Sequence, residues 1–320
     1  MCLTESGRFL KKILAQTNWL QPLNKGRKNL FSNPGVGSSP LIAFVLAACG
    51  KTSDSDSAAD TPTAKTFSLG QGTDTVVGTV LDDTISAERI TISGTSYDTL
   101  NNTDNIDGGG GSADTLQVVL GGGTTVKPVS LAGIEIIDIQ FDAANSILDA
   151  DKSDSLTKVI FQNNSAAAHL VNVKTLLTDI DVNNNNGFDV FLSYSNTVAS
   201  GVADNLDIDL TNFQGGQLTA QATGGSGGYE TVTVSSTGNK VQTITTLSLD
   251  LEVTTLKIDG DTDLTITNAL ATNIVAFDLT SSTGDTSLGT LNTAEKVTFT
   301  GGPGNDTFDI SSAAGALTSI

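Results

Sequence analysis

One glycine-rich turn has the residue types and the spacing that could bind a hard cation. It reads Gly-Gly-Pro-Gly-Asn-Asp-Thr-Phe-Asp over residues 301–309. Its glycines can adopt backbone conformations closed to other residues, so their carbonyl oxygens can turn towards an ion, and the carboxylate of Asp306 is a hard oxygen ligand of the kind that Ca²⁺ prefers. The predicted ligands are Gly301, Gly302, Gly304, Asn305 and Asp306. The alternative interpretation is a plain turn between two strands.

Two earlier segments repeat this order of turn, aspartate, threonine and apolar residue. In the first, Asp83 precedes a Thr-Ile pair and takes the place of Asp306. In the second, a run of four glycines precedes Asp114, with one residue inserted relative to the turn at 301–309. Three occurrences favour calcium binding over a plain turn. The further predicted ligands are Asp83, Gly108, Gly109, Gly111 and Asp114.

Short β-strands are the elements that must position these turns. Aromatic residues make up 5% of the 320 residues and there are 33 glycines, a composition that suits short strands and tight turns better than long helices. Alternating runs such as Asp179–Val182, Leu206–Leu210 and Leu256–Asp259 recur along the chain, and alternation places aliphatic residues on one face and polar ones on the other. We predict an all-β fold, a right-handed parallel β-solenoid or β-roll; a multi-stranded β-sandwich is the alternative.

The glycine-rich turn resembles the nonapeptide of RTX-type calcium-binding proteins, G-G-x-G-x-D followed by x, an aliphatic or aromatic residue and x. The wider stretch from Val253 to Ile310 resembles bacterial surface-layer proteins of the RsaA-like group, and the resemblance extends as β-rich texture over 67–320. It implies a β-solenoid exposed on the cell surface, with each calcium ion between consecutive turns, so that one repeat supplies half of a site.

The charge of the chain is divided unevenly. Residues 1–48 contain six Lys or Arg and one Glu, whereas 49–320 contain ten basic and 34 acidic residues, a net charge of −24. Such an acidic body excludes nucleic-acid binding through phosphate contacts. Its self-repulsion would be relieved by bound cations, which again points to Ca²⁺ as the cofactor.

An apolar run, Pro40–Ala48, ends at Cys49 and is too short to span a bilayer. The sequence Leu-Ala-Ala-Cys at its end resembles the lipobox of bacterial lipoprotein signal peptides. The resemblance implies lipidation of Cys49 and, because Gly50 follows it, an outer-membrane or extracellular location at the bacterial surface. A buried hydrophobic strand is the alternative. The segment that follows, rich in Ser and Asp, is typical of a disordered tether.

These observations predict five segments along the chain. They are a leader with lipobox at 1–48, a disordered tether at 49–66, a Gly/Asp-rich RTX-like β region at 67–125, a β-solenoid body at 126–300 and the start of an RTX-like repeat at 301–320.

Three alternating carboxylates, Asp259, Asp261 and Asp263, form a second-rank calcium site in our interpretation. They would point to one face of a strand or line one turn, and carboxylates held close together repel unless a cation intervenes. A solvated acidic face is the alternative. The pair Asp207 and Asp209 is assigned to the outer face of a strand.

The triplet Asp181, Asn183 and Asn185 imitates the start of an EF-hand loop, but we reject that assignment. The glycine, Gly187, comes one position late, and Leu192 stands where the bidentate glutamate belongs.

Few residues could support catalysis. His169 is the single histidine, which is insufficient for a zinc site. Arg89 is the sole arginine after Cys49, which weakens the case for an enzyme that cleaves acidic sugars, because such an enzyme needs a cationic group. A cleft joining several carboxylates to Lys127, Lys174, Lys240 or Arg89 would favour catalysis.

We therefore expect an exported, calcium-stabilised cell-surface β-solenoid with a structural or adhesive role and no catalysis. The alternative is a polysaccharide-cleaving enzyme on a β-helix scaffold. The expected partners are the membrane through a lipidated Cys49, further copies of the chain, or surface polysaccharide, and not nucleic acid.

Overall fold

The computed structural model describes residues 62–224, 227–291 and 296–309, and the backbone of Leu317–Ser319. These residues form β-strands joined by turns and bends, and they contain no helix that could cross a membrane. Nearly all of their strand pairs are parallel, and the chain winds through about eleven turns of a β-solenoid. The predicted all-β solenoid is confirmed, and the strands do not form the alternative β-sandwich.

Each turn of the solenoid adds one strand to a continuous sheet of twelve described strands, which we call the long sheet. Its strands, in order, are β1 (Thr66–Ser68), β3 (Thr84–Ala87), β7 (Thr115–Leu120), β10 (Ile136–Phe141), β12 (Lys158–Gln162), β14 (Asp179–Asn183), β16 (Asn205–Thr211), β18 (Thr231–Thr237), β21 (Thr255–Gly260), β23 (Ala276–Ser282), β25 (Val297–Thr300) and β27 (Leu317–Ser319).

Smaller sheets form the other sides of the solenoid. A six-stranded sheet contains β8 (Thr125–Val126), β11 (Ile147–Asp149), β13 (Ala168–Val173), β15 (Val190–Ser195), β17 (Gln217–Thr223) and β20 (Thr246–Leu249). A four-stranded sheet contains β19 (Gln242–Ile244), β22 (Leu264–Ile266), β24 (Thr286–Thr290) and β26 (Thr307–Asp309). A three-stranded sheet contains β2 (Thr75–Val77), β6 (Asn105–Asp107) and β9 (Ser130–Ala132). An antiparallel hairpin joins β4 (Ile90–Ile92) to β5 (Thr95–Tyr97).

Period-two alternation explains why these sequences form strands. In β16 the residues Leu206, Ile208 and Leu210 are buried, while Asp207 and Asp209 face outwards. Strand pairing then aligns equivalent buried residues from turn to turn. One such aliphatic column consists of Ile85, Leu116, Ile137, Val159, Ile180, Ile208, Val234 and Ile258. The core is therefore a stack of similar layers in which each turn buries its neighbours.

Asparagines fix one of the corners at which the chain leaves the long sheet. Asn163, Asn184 and Asn212 adopt left-handed conformations, with φ of 50°, 53° and 57°. Asparagine tolerates this region better than other non-glycine residues. Their side chains are linked, because the amide of Asn184 donates to Asn163 at 3.3 Å and that of Asn212 donates to Asn184 at 3.0 Å. Because these three corners share the same backbone conformation, the strands that precede them stay in register.

The predicted segments map unevenly onto this solenoid. Strand β1 begins at the last residue of the predicted tether, and β25 ends where the RTX-like repeat was placed. The predicted boundary between residues 125 and 126 falls inside β8, and the long sheet continues across it. The leader, Cys49 and residues 49–61 of the tether lie outside the described residues.

Candidate cation site on the long sheet

The outer face of the long sheet brings together aspartates from two neighbouring strands. Both β14 and β16 contain an Asp-aliphatic-Asp sequence whose aliphatic residue enters the core. The register between these strands places Asp179 opposite Asp207 and Asp181 opposite Asp209. Like charges directly opposite each other in a sheet are destabilising. The register therefore forms an acidic group that requires a counter-charge.

Three of these carboxylates converge. Carboxylate oxygens of Asp179, Asp181 and Asp209 lie within 4.8 Å of one another, and no other group of three such ligands occurs in the described part of the chain. We call these three residues the face cluster. Each side chain is partly buried, so water screens their repulsion incompletely.

Lys158 on β12 supplies one counter-charge. Its Nζ lies 2.7 Å from Oδ2 of Asp179 and 2.8 Å from Oδ2 of Asp181. Burial alone would lower the pKa of Lys158, but its hydrogen bonds to the two carboxylates outweigh burial and raise the pKa. Within the described chain, Oδ1 of Asp179 and Oδ1 of Asp181 are buried and have no hydrogen-bond partner. One lysine therefore leaves the cluster with unsatisfied oxygens.

Burial raises the pKa of Asp181, and the carboxylate of Asp179 acts in the same direction while Lys158 opposes it. The charged form of Asp181 is therefore disfavoured relative to that of an exposed aspartate. A cation placed beside it would favour that charged form and offset the repulsion within the cluster.

The composition of the face cluster fits a hard cation. Its candidate ligands are all carboxylate oxygens, and Ca²⁺ accepts six to eight oxygen ligands in flexible geometry. The two buried Oδ1 atoms are free to act as ligands. A shallow depression of about 500 Å³ adjoins the cluster. It is lined by Thr178, Asp179, Asp207, Asp209, Thr233, Ser235, Lys257, Asp259 and Ser281.

The carboxylates of the predicted turn ligands Asp83 and Asp114 accept hydrogen bonds from the backbone, unlike those of the face cluster. Asp83 is buried and accepts backbone N–H groups from Lys65, at 2.5 Å, and from Thr79. The backbone N–H of Asp83 donates to Oδ1 of Asp114 at 2.6 Å, and the N–H of Asp114 donates to Oε2 of Glu135 at 2.9 Å. Asp83, Asp114 and Glu135 thus form what we call the turn column, in which each carboxylate caps the preceding turn.

The pKa values of the turn column reflect burial and backbone donors. Burial alone would raise the pKa of Asp83, but hydrogen bonds from the backbone of Thr79 and Lys65 lower it. Burial raises the pKa of both Asp114 and Glu135, and neighbouring carboxylates act in the same direction. Backbone amides therefore share the carboxylate oxygens that were predicted to bind calcium in these turns.

The predicted glycine ligands lie where the backbones of adjacent turns touch. A Cβ atom at Gly108 would overlap the carbonyl of Gly133, and one at Gly109, whose φ is 95°, would overlap the carbonyl of Thr79. At Gly111 a Cβ would lie 2.8 Å from Oδ1 of Asp82. Close packing of the backbone therefore requires glycine at positions 108 and 109, whereas a small shift of the Asp82 side chain would accommodate a Cβ at position 111.

The turn at 301–309 is constructed in the same way. A Cβ at Gly302 or Gly304 would overlap carbonyls of the preceding turn, and one at Gly301 would lie 3.1 Å from a carboxylate oxygen of Asp306. Oδ2 of Asp306 accepts the N–H of Gly302 at 2.8 Å, whereas Oδ1 is buried and has no partner among the described residues. Asn305 donates from its backbone and its side chain to Asp285.

The second-rank site is dispersed. Asp259 faces outwards on β21, opposite Ser235 and Ser281, whereas Asp261 and Asp263 are exposed in the following turn. Oδ1 of Asp263 accepts the N–H of Asp285 at 2.9 Å. The three carboxylates do not meet in a common group among the described residues.

Sequence reasoning missed the face cluster. Asp181 was considered only for an EF-hand, and Asp209 was assigned to the outer face of a strand. The usable signal was the repetition of Asp-Ile-Asp in two strands of a parallel solenoid, which places the two pairs side by side when the strands are in register.

The residues considered for catalysis lie apart from the cluster. His169 is half-buried with its ring 4.6 Å from that of Phe191, and burial lowers its pKa. Arg89 pairs with Asp98, and Lys127 and Lys174 pair with Asp151. Lys240 is exposed on another turn.

The chain was also compared with known proteins. No protein-family model, no curated protein and no solved structure matches it.

Proposed function

We propose that this chain is an exported, calcium-stabilised β-solenoid with a structural role at the bacterial cell surface. The observation that carries the proposal is the face cluster, three converging carboxylates with two buried oxygens that lack partners within the described chain. The net charge of −24 over residues 49–320 adds to the need for cations.

In this proposal Ca²⁺ couples ion binding to strand pairing. Asp179 and Asp181 belong to β14, and Asp209 belongs to β16, so an ion shared by them would link two turns of the solenoid. Without the ion, the carboxylates of these strands repel each other, and the paired state is disfavoured. An ion that binds only the folded chain raises its stability by mass action.

The test is the melting temperature of the full chain. It is measured by circular dichroism, first in chelator and then at increasing concentrations of free Ca²⁺. We expect the melting temperature to rise, with stabilisation of about 2.7 kcal/mol when calcium reaches 100 times its dissociation constant. Asp209→Asn should remove most of this gain. Asp154→Asn, which removes one exposed negative charge elsewhere, should retain it.

A second variant separates the face cluster from the glycine-rich turn. If Asp306→Ala abolishes the calcium response and Asp209→Asn does not, the ion binds at the turn. A melting temperature that calcium and chelator leave unchanged would show that the calcium proposal is wrong.

The proposed location depends on Cys49 and its lipobox-like context. Cells expressing the chain should incorporate a labelled fatty acid into it, and Cys49→Ser should lose the label. Cys2→Ser is the matched control, since these are the two cysteines of the chain. Label retained by Cys49→Ser would contradict the anchor.

Polysaccharide cleavage is a second candidate function for the same face. Asp181 has a raised pKa, as a general acid requires, and an open depression beside the face cluster is lined by Asp179, Asp209 and further carboxylates. The release of reducing ends from plant and bacterial polysaccharides would test it. Release that Asp181→Asn abolishes would favour the enzyme, whereas the structural proposal predicts none.

A further inference from the structure

One turn of the solenoid, between β3 and β7, is longer than those that follow it. Thr84 on β3 pairs with Thr115 on β7, and Thr115 in turn pairs with Ile136 on β10, so the first of these two connections is clearly the longer. The additional residues include the hairpin β4–β5, which is the one antiparallel pair in the described ranges. Insertions into single turns of repeat proteins are often binding elements.

The hairpin is held firmly against the next turn. Nε of Arg89 lies 2.9 Å from Oδ1 of Asp98, so the two ends of the hairpin are joined by an ion pair. The carboxylate of Asp98 also accepts the backbone N–H groups of Gly121 and Gly122, at 3.0 and 2.9 Å. A surface fixed in this way loses little entropy when it binds a ligand.

A hollow of about 400 Å³ lies between the hairpin and the following turns. Its lining includes Tyr97, Leu100, Asn102, Thr124, Thr125 and Val126. Leu100 and Val126 are buried and form an apolar base, while the side chain of Tyr97 is part of an exposed wall. An apolar base with a few polar groups around it is typical of small-molecule sites, which have volumes of about 300–1,000 Å³.

The nearby charges are already neutralised. Asp98 is paired with Arg89, and Nζ of Lys127 lies 3.3 and 2.9 Å from carboxylate oxygens of Asp149 and Asp151. The hollow therefore offers neither an unpaired cation for phosphate nor an unpaired carboxylate for a metal within the described residues. The remaining polar groups are amides and hydroxyls, which hydrogen-bond neutral hydroxyl-rich ligands.

We propose that this hollow binds a neutral oligosaccharide. The ring of Tyr97 supplies an apolar surface for the C–H face of a sugar. Oδ1 of Asn102 accepts the backbone N–H of Lys127 at 2.6 Å, which fixes the amide and leaves its NH₂ group to donate to a sugar hydroxyl. The hydroxyls of Thr124 and Thr125 lie on the same hollow. The proposal does not depend on calcium at the face cluster.

Isothermal titration calorimetry of the full chain tests the proposal with a fixed panel of probes. The neutral probes are the hexasaccharides of cellulose, starch, laminarin and chitin, and the anionic probe is hexagalacturonate. We expect at least one neutral probe to bind. For that probe, Tyr97→Ala should weaken binding about tenfold or more, and Tyr97→Phe, which keeps the ring, should stay within about threefold of wild type.

Two controls make the result decisive. Val202→Ala, at a side chain that is 93% exposed, should leave the affinity unchanged. The melting temperature of Tyr97→Ala should match wild type, since Tyr97 lies on the surface. The proposal is wrong if none of the four neutral probes binds, if only hexagalacturonate binds, or if Tyr97→Ala binds as tightly as wild type.

Discussion

The turn column and the face cluster both consist of carboxylate side chains, but the oxygens of these side chains have different hydrogen-bond partners. The carboxylates of Asp83 and Asp114 accept backbone N–H groups of the preceding turns, which satisfy their oxygens with hydrogen bonds. Asp179 and Asp181 lie on the outer face of a sheet whose N–H groups are already used in strand pairing, and among the described residues their ion pairs are with Lys158. Access to backbone N–H donors therefore distinguishes the hydrogen-bonded carboxylates of the turn column from those of the face cluster, whose Oδ1 atoms lack partners among the described residues.

The largest expected effect tests how closely the glycine-rich turn next to the turn column is packed. Gly108→Ala should destabilise the chain by about 3 kcal/mol, because the added methyl group would overlap the carbonyl of Gly133. Urea unfolding at neutral pH in chelator measures the effect. Gly72→Ala, where the added Cβ would meet nothing within 4 Å, is the matched control. Equal effects of the two substitutions would show that the turn is not closely packed.

A smaller loss is expected when a carboxylate of the turn column is removed. Asp114→Ala leaves the backbone N–H of Asp83 buried without its acceptor, which should cost about 2 kcal/mol. Asp114→Asn retains an acceptor oxygen and should cost much less. Calcium should change neither difference if the column serves to cap the backbone. A cost that appears only when calcium is present would instead assign an ion to this turn.

Asp250 combines the two situations and should make stability depend on pH. Oδ1 accepts the N–H of Ala222 at 2.8 Å, as in the turn column, but Oδ2 is buried and has no partner in the described chain, as in the face cluster. Burial raises its pKa to about 6. The folded chain therefore holds this proton more tightly than the unfolded chain does, so the contribution of Asp250 is full below about pH 4 and is lost as the pH rises through about 6.

At pH 8, Asp250→Asn should raise the free energy of unfolding, measured by urea denaturation, by about 1 kcal/mol relative to wild type. This difference should decline towards pH 4. The gain is less than the full pKa shift would give, because the new amide must also lie where Oδ2 lacks a partner. Asp261→Asn, at an exposed turn, is the control. A difference that does not vary with pH would contradict the assignment.

The smallest expected effect belongs to the face cluster and changes sign when calcium is added. In chelator, Asp181→Asn should leave stability unchanged or raise it by about 0.5 kcal/mol, because it removes one of the repelling charges. In calcium the same variant should be less stable than wild type. Thermal melts in both buffers measure the change of sign. Destabilisation of equal size in both buffers would mean that Asp181 acts only through its ion pair with Lys158.

Local pattern was sufficient to predict the strands and their parallel stacking. Alternation in segments such as Leu206–Leu210 reveals which side chains enter the core, and glycine-rich turns reveal where the chain changes direction. The turn aspartates were also recognisable, because each stands at a fixed place before a strand.

Residue spacing alone did not predict which residues are neighbours across the sheet, because the turns differ in length. In the strand register Lys158 lies opposite Asp179, and Asp179 lies opposite Asp207. The chain between Asp179 and Asp207 is longer than the chain between Lys158 and Asp179. The face cluster depends on this register, and a slip of either strand along the other would separate Asp181 from Asp209. The same variation conceals the hollow beside Tyr97, whose walls come from separate turns.

The aliphatic column of the long sheet has a consequence for how such a chain can change over evolutionary time. Ile85, Leu116 and Ile137 remain aligned although the connection before Leu116 is longer than the one after it. Because each layer contacts only the layers next to it, new loops can accumulate in one turn while the spacing of the others is preserved. The solenoid therefore acts as a frame of constant pitch on which separate surface elements can be gained or lost independently.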